Sequence, residues 1–259
     1  MTLAMRLKAV AKRFFTAWSG VPDTLTVELM AAQGFDAVTL DMQHGGHHED
    51  SVLRAILPIQ KAQKPAIVRI PVGRFDMASR ALDFGAEAVI APMINSVADA
   101  RAFGLAMKYP PMGQRSWGPT FGFPRHGKGD FAEWLAESNA RTMAIAMVET
   151  REALDCLDGI LETPGIDGIF VGPSDFSIAW SRGRTVDTKL EDMMEAIADI
   201  GKRTRQAGKA AAIFIVDPGM TGRLAKMGYQ LFAGGSEGAL MSRGAASLLG
   251  EARQSLDAN

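Results

Sequence analysis

The segment "LDMQHGGHHED", residues 40–50, holds three of the four histidines of the chain, His44, His47 and His48, among Asp41, Glu49 and Asp50. A zinc site, a catalytic base with an orienting carboxylate, and a polar turn are all open to such a set. Zinc would need two imidazoles stacked on one helical face, and the Gly45–Gly46 pair places a strand-to-helix turn there instead. His47 and His48 then read as first-turn residues beside Glu49 and Asp50, a solvated helix start. His44 follows an apolar run directly, with Asp41 three residues earlier to orient its imidazole; its alternative is a hydrogen-bonded turn histidine.

Three further charged residues stand at the ends of apolar runs. Arg69 closes "AIVR", Glu149 closes "AIAMVE", and Asp175 follows "VGPS". Glu149 and Asp175 each have a simpler reading as helix N-cap carboxylates. Taken together they point to a hard-cation site, because two carboxylates held close in a buried mouth repel unless a metal or a proton intervenes. With only two protein ligands, the shell would be completed by water and substrate oxygens, which suits Mg²⁺ or Mn²⁺, with Co²⁺ also open. A Schiff-base mechanism would need a lysine at the same mouth. Lys64 and Lys209 instead precede apolar runs and belong to the opposite end.

These residues can cooperate only if the apolar runs are neighbouring strands. Eight such runs recur, at 13–18, 37–42, 66–70, 88–93, 142–149, 168–172, 211–216 and 229–234. Their near-continuous hydrophobicity is that of parallel strands buried on both faces, and helical spacing fills the gaps between them. "DTLTVELMAAQG" begins at a cap, Asp23, and "SVADARAFGLAMKY" begins at Ser96. Eight βα units predict a (β/α)₈ barrel occupying residues 1–259 as one domain, with reacting groups at the C-terminal ends of the strands. Two stretches break the spacing, Pro110–Ala140 and Phe176–Thr188, and both are expected as long insertions serving the mouth or a subunit contact. The glycines and prolines of the first favour a structured loop over a helix.

Composition narrows the partners. With 47% hydrophobic and 22% charged residues the chain can bury a large core, and its formal net charge of −1 without a basic stripe excludes the usual nucleic-acid signature. The single cysteine, Cys156, permits no internal disulfide and fits the cytoplasm. No apolar run is long enough for a membrane span. The basic start, with Arg6, Lys8, Lys12 and Arg13, lacks the apolar core of a secretory signal and reads as a short amphipathic helix closing the barrel bottom.

The blocks "LDMQHG", "VRIP", "APMINSVADARAFGLAMKYPPMGQRSWG", "AMVETREALDCLDGILETPGIDGIFVGPSDFS" and "LFAGGSEGALM" resemble, in order and spacing, the HpcH/HpaI aldolase family over residues 13–250. The resemblance implies metal-dependent, reversible aldol cleavage of 4-hydroxy-2-oxo acids to pyruvate or hydroxypyruvate plus an aldehyde. It also implies Glu149 and Asp175 as metal ligands, His44 with Asp41 as catalytic pair, and Arg69 as the substrate-polarising cation. Gly172, Pro173 and Ser174 would line the carboxylate and carbonyl of the 2-oxo acid. For assembly it implies a homohexamer, a trimer of dimers, with the segment after Gly235 exchanged between subunits. Where a "D-G-E-H" pattern is expected the chain has "DMQH", so Gln43 replaces a carboxylate; Pro71 also stands one position later after Arg69 than expected.

Other readings are an acyl-CoA lyase of the citrate lyase β or malyl-CoA lyase type, and a phosphate-binding barrel isomerase suggested by "FAGGSEGA". A binding-only barrel would give no reason for the shared mouth. Glu237 argues against phosphate, and no basic groove for a nucleotide is evident.

Overall fold

The computed structural model describes residues 1–8, 13–126 and 129–258; Lys12, Gly127 and Lys128 lie outside them. Eight parallel strands close a barrel in chain order: β1 (Phe14–Ser19), β2 (Ala37–Asp41), β3 (Ala66–Arg69), β4 (Ala88–Ala91), β5 (Met143–Val148), β6 (Gly168–Val171), β7 (Ala210–Phe214) and β8 (Leu231–Gly234). Each falls within a residue or two of an apolar run. β1 pairs with both β2 and β8, which completes the closure.

Alternation along each strand divides the core into two layers. Phe14, Trp18, Ile67, Ile90, Ile145, Met147, Phe170 and Leu231 fill the barrel interior. Val38, Leu40, Val68, Val89, Val148, Val171 and Ile213 face outward against the helices. Both layers are apolar, so the strands read as continuous hydrophobic runs. The first helix, Leu3–Lys8, buries Leu3, Ala4 and Leu7 against the interior layer, and the Leu3 amide donates to Glu87 Oε2 at 2.6 Å. This is the bottom plug expected from the sequence.

The caps follow their residue types. Asp23 accepts from the Thr26 amide at the start of Thr24–Ala31, and Ser96 from the Asp99 amide at the start of Val97–Met107.

The stretch 110–140 is placed differently from expectation. It follows helix Val97–Met107 and precedes β5, so it is a helix-to-strand connection on the N-terminal side of the barrel, away from the mouth. It contains two helices, Gly122–His126 and Phe131–Arg141, and is pinned below: the Phe121 amide donates to Asp83 O, and Arg125 Nη1 donates to Phe84 O at 2.7 Å. Lys108, fully buried, donates from Nζ to Asn139 O (2.9 Å) and Thr142 O (2.7 Å) and pairs with Asp167. Sequence breaks reveal insertions but not which end of the barrel they join. The other irregular stretch does follow a strand, β6, through helix Pro173–Trp180.

The last helix, Glu237–Asp257, buries only Glu237 along its 21 residues. Met241, Leu248, Leu249 and Leu256 are exposed on it.

Candidate active site

β2 and β3 are in register with Asp41 opposite Arg69. Arg69 Nε donates to Asp41 Oδ1 at 2.8 Å and Nη2 to Oδ2 at 2.7 Å, a two-pronged ion pair with both side chains buried. Trp18 Nε1 donates to Asp41 Oδ2 (3.2 Å), and the amides of Gln43 and His44 donate to Oδ1 (3.0 and 3.4 Å). Burial pushes the Asp41 carboxyl up, but the Arg69 contacts and these donors outweigh it and hold it below the ordinary carboxylate range. The sequence reading gave Asp41 to the His44 imidazole. The structure gives its carboxylate to Arg69, and among the described residues Asp41 reaches His44 only through the backbone amide.

The Arg69 guanidinium lies 4.8 Å from the Trp18 ring centroid. With Nε and one Nη2 hydrogen directed at Asp41, its remaining hydrogens are available to a bound acceptor.

A cavity of about 250 Å³ opens above this pair, lined by Trp18, Asp41, His44, Arg69, Met147, Phe170, the run Gly172–Asp175, and Phe214. It therefore brings together His44, Asp41, Arg69, Gly172, Pro173, Ser174 and Asp175 as the sequence predicts. Glu149 does not line it. Its carboxylate sits directly behind Gly172, where a Cβ would collide with Oε2, so only glycine lets the carboxylate and the loop approach this closely. Neither acid is an N-cap: Thr150 caps the helix after Glu149, and Asp175 lies in the first turn of Pro173–Trp180, whose cap is Gly172.

Glu149 Oε1 accepts from the Met93 amide at 2.9 Å, and Glu149 has no ion pair among the described residues. Burial, more than any neighbour, raises its carboxyl to about 7; the Met93 bond opposes this, the Asp175 charge reinforces it, and Arg69 is a minor opposing influence. A carboxylate so desolvated lacks a compensating cation. No set of three or more His, Cys, Asp or Glu side chains that could hold an ion occurs among the described residues. The donor set thus fits a hard ion taking two carboxylates and finding its other oxygens in substrate and water.

The helix after β6 begins with Pro173, which has no N–H, so of the three lining residues Gly172 and Ser174 offer amide donors. The Phe176 amide is already used on Gly172 O. The open first-turn amides of Ser174 and Asp175 suit a carboxylate.

The three histidines of residues 40–50 part company. His44 is exposed at the cavity rim. His48 is the N-cap residue of helix Glu49–Lys61. His47, expected at a solvated helix start, is instead buried between Ser19 Oγ (2.9 Å from Nε2) and Ser51 Oγ (3.1 Å from Nδ1). The glycine turn folds it inward, which residue type alone does not reveal.

The apolar wall of Trp18, Met147, Phe170 and Phe214 was not singled out as site-forming. Trp18 packs against Phe170 at 5.7 Å and edge-on against Phe214 at 5.2 Å. The signal was available: Trp18 and Met147 are inward-facing penultimate residues of their strands, and Met147 stands two residues before Glu149.

The profile of the HpcH/HpaI aldolase/citrate lyase family matches residues 15–244. The chain belongs to that family. Among HpcH/HpaI relatives, a protein of Rhizorhabdus wittichii named hydroxypyruvate/pyruvate aldolase is 34% identical over 91% of this chain and 92% of its own. A 2-keto-3-deoxy-L-rhamnonate aldolase of Klebsiella pneumoniae is 32% identical over 84% of this chain and 80% of its own. A crystal structure of an HpcH/HpaI aldolase/citrate lyase family protein from Burkholderia cenocepacia superposes with a TM-score of 0.85 at 27% identity, covering 97% of this chain and 98% of the other.

Proposed function

We propose that this chain catalyses the reversible, divalent-metal-dependent aldol cleavage of 4-hydroxy-2-oxo acids to pyruvate, or hydroxypyruvate, and an aldehyde. The observation that carries this reading is the convergence on one cavity of the Asp41–Arg69 pair, His44, Asp175 and an open helix N-terminus, with Glu149 directly behind Gly172. The names of the relatives agree with it.

Glu149 and Asp175 would hold the cation, Mg²⁺ or Mn²⁺, with Co²⁺ compatible with the same oxygen donors. When bound, the ion supplies positive charge that polarises the 2-oxo acid and neutralises the two carboxylates. The open amides of Ser174 and Asp175 receive the substrate carboxylate, and Gly172 and Pro173 form the turn that presents them. Arg69, its plane set by Asp41, donates its remaining hydrogens to the C2 carbonyl oxygen, where negative charge grows as the C3–C4 bond breaks. His44 takes the proton of the C4 hydroxyl, whose carbon becomes the aldehyde; the electron pair of the broken bond forms the enolate, which takes a proton at C3 to give the 2-oxo acid product. The wall of Trp18, Met147, Phe170 and Phe214 keeps bulk water from the reacting face.

The experiment is pyruvate release from 4-hydroxy-2-oxo acids before and after EDTA, then with Mg²⁺ or Mn²⁺ restored. Loss and recovery are expected; release insensitive to EDTA would overturn the metal-dependent reading. Malyl-CoA cleavage, with no release from any 2-oxo acid, would transfer the assignment to the acyl-CoA lyase alternative.

The same reading extends to assembly and location. The exposed Met241, Leu248, Leu249 and Leu256 support exchange of the C-terminal helix between subunits of a homohexamer, a trimer of dimers. Leu248→Glu is expected to yield smaller species by sedimentation, and an unchanged mass would count against the exchange. Residues 1–259 are taken as one catalytic domain, the partners as small molecules without nucleic acid or membrane, and the compartment as the cytoplasm, which suits the unpaired Cys156. Among the described residues no helix is long and apolar enough to cross a membrane.

A further inference from the structure

His47 is the one histidine of residues 40–50 that neither lines the cavity nor starts a helix, yet it is buried and has a partner on each ring nitrogen. We propose that Ser51, His47, Ser19 and Glu237 form a positioning relay that fixes the loop carrying His44 and ties that loop to the root of the C-terminal helix.

Hydrogen counting sets the direction of the relay. Glu237 accepts from the amides of Gly20 (3.0 Å, Oε2) and Val21 (3.3 Å, Oε1) and from the Ser19 hydroxyl (2.7 Å, Oε1). The single Ser19 hydroxyl proton is thereby committed, so toward His47 the Ser19 oxygen can only accept, and His47 Nε2 must carry hydrogen. At the other end the His48 amide donates to Ser51 Oγ at 2.9 Å, and the one Ser51 hydroxyl proton has two acceptors in reach, the His48 carbonyl at 2.9 Å and His47 Nδ1 at 3.1 Å. The carbonyl already accepts from the Val52 amide at 2.9 Å, so directing the proton to Nδ1 leaves neither acceptor empty. Every member is then satisfied with His47 neutral, in the order Ser51 to His47 to Ser19 to Glu237. Burial favours that neutral form and lowers the imidazole below its ordinary range, although the Glu237 and Asp41 charges oppose it and His48 adds to it.

The relay touches the site through backbone. Ser19 follows Trp18, which lines the cavity and donates to Asp41. The Gly46 amide donates to Gly20 O at 2.8 Å, and Gly45 packs so tightly on Gly20 and on the Asp41 carbonyl that a Cβ there would collide with both. The loop is therefore held at Asp41 by two amides, at Gly46 by Gly20, and at His47 by Ser19, with His44 between the holds. Glu237 is also the one buried residue of the C-terminal helix, so seating that helix and seating the loop are one event. A loop anchored this way limits the placement error of His44, and errors of an ångström in a base typically lower the rate about 100-fold.

This inference rests on His44 serving as the base, and the test separates the two. Ser19→Ala and His47→Asn break the Nε2 link, whereas His47→Gln keeps an N–H near the Nε2 position. With aldol cleavage as readout, the first two are expected to lower kcat at least about tenfold. KM for the 2-oxo acid and Mn²⁺ affinity should stay within twofold, since Arg69, Glu149 and Asp175 are untouched. His47→Gln should recover most of kcat. Ser19→Ala with kcat within twofold of native per folded molecule would overturn the relay, whatever its Tm. Should the variants fail to fold, ¹⁵N NMR of the native histidines decides: Nε2–H on His47 supports the relay, and Nδ1–H with a bare Nε2 overturns it. A native protein that releases no pyruvate would instead remove the functional reading and leave the relay to be judged by the tautomer.

Discussion

Asp41 and Arg69 face each other in register across β2 and β3 and share two hydrogen bonds of 2.8 and 2.7 Å. A guanidinium held by both prongs in a buried site has its plane fixed before substrate arrives, which is the condition for stabilising charge without reorganisation. The pair also carries a stability consequence. Removing one partner leaves an uncompensated buried charge, so Arg69→Ala and Asp41→Ala should each cost about 3–5 kcal/mol, and the double variant markedly less than their sum. Denaturant unfolding of the four proteins checks this; additive losses would mean that the two side chains do not act as a pair. Below the ordinary carboxylate range Asp41 begins to protonate, so its contribution is present at neutral pH and is lost only as pH falls through its lowered value.

His44 is exposed at the rim and makes no contact with Glu149 or Asp175 among the described hydrogen bonds. His44→Ala should therefore lower turnover by about 10²–10⁴, the usual span for a general base, while leaving the fold and metal affinity intact. Steady-state rates beside Mn²⁺ titration by electron paramagnetic resonance would show this split. Loss of metal binding in parallel with turnover would place His44 among the ligands instead.

Glu149 gives a pH dependence of definite sign. Its carboxyl is raised from an ordinary 4.5 to about 7 by burial above all. The native state thus holds a proton that the unfolded chain releases between those values, and stability from this group is greatest below pH 4.5 and declines as pH rises to 7, by roughly 3 kcal/mol in metal-free protein. In the proposed function a cation takes the place of that proton. Metal affinity should weaken about tenfold for each pH unit below 7 and level off above it. Calorimetric titration with Mn²⁺ at pH 5.5, 6.5 and 7.5 measures the slope, and Glu149→Gln should remove it. A flat profile in the native protein would mean that Glu149 does not exchange its proton for the ion.

Much of this site was legible in the sequence because a parallel barrel ties position along a strand to position in space. Arg69, Glu149 and Asp175 could be placed at one mouth simply as the charged residues that end apolar runs, and Asp23 and Ser96 announced their helices by capping chemistry. What stayed hidden depends on side-chain direction. Asp41 can reach Arg69 across the strand pair or His44 along the chain, and only the register across β2 and β3 decides for Arg69. His47 resembles any polar turn residue until the Gly45–Gly20 contact turns it inward. The stretch 110–140, expected at the mouth or in a subunit contact, lies away from the mouth because its composition signals an insertion without signalling which end of the barrel it joins.

Gln43 is the departure most open to test. Its side-chain Oε1 accepts from the Val72 amide at 2.9 Å, joining the loops after β2 and β3, while its backbone amide donates to Asp41. A glutamate at this position could keep the Val72 bond, since a carboxylate oxygen accepts as an amide oxygen does. The new charge would stand on the residue whose amide binds Asp41 and that precedes His44, adding negative potential at the mouth that favours a cationic His44 and repels an anionic substrate. Gln43→Glu should therefore move the acid limb of the pH–rate profile to higher pH and raise KM for the 2-oxo acid severalfold, with little change in kcat at alkaline pH or in Tm. Profiles of kcat and kcat/KM from pH 5.5 to 9 would show both effects. If only Tm changes, Gln43 serves the loop connection alone, and the neutral amide has no part in setting the charge of the mouth.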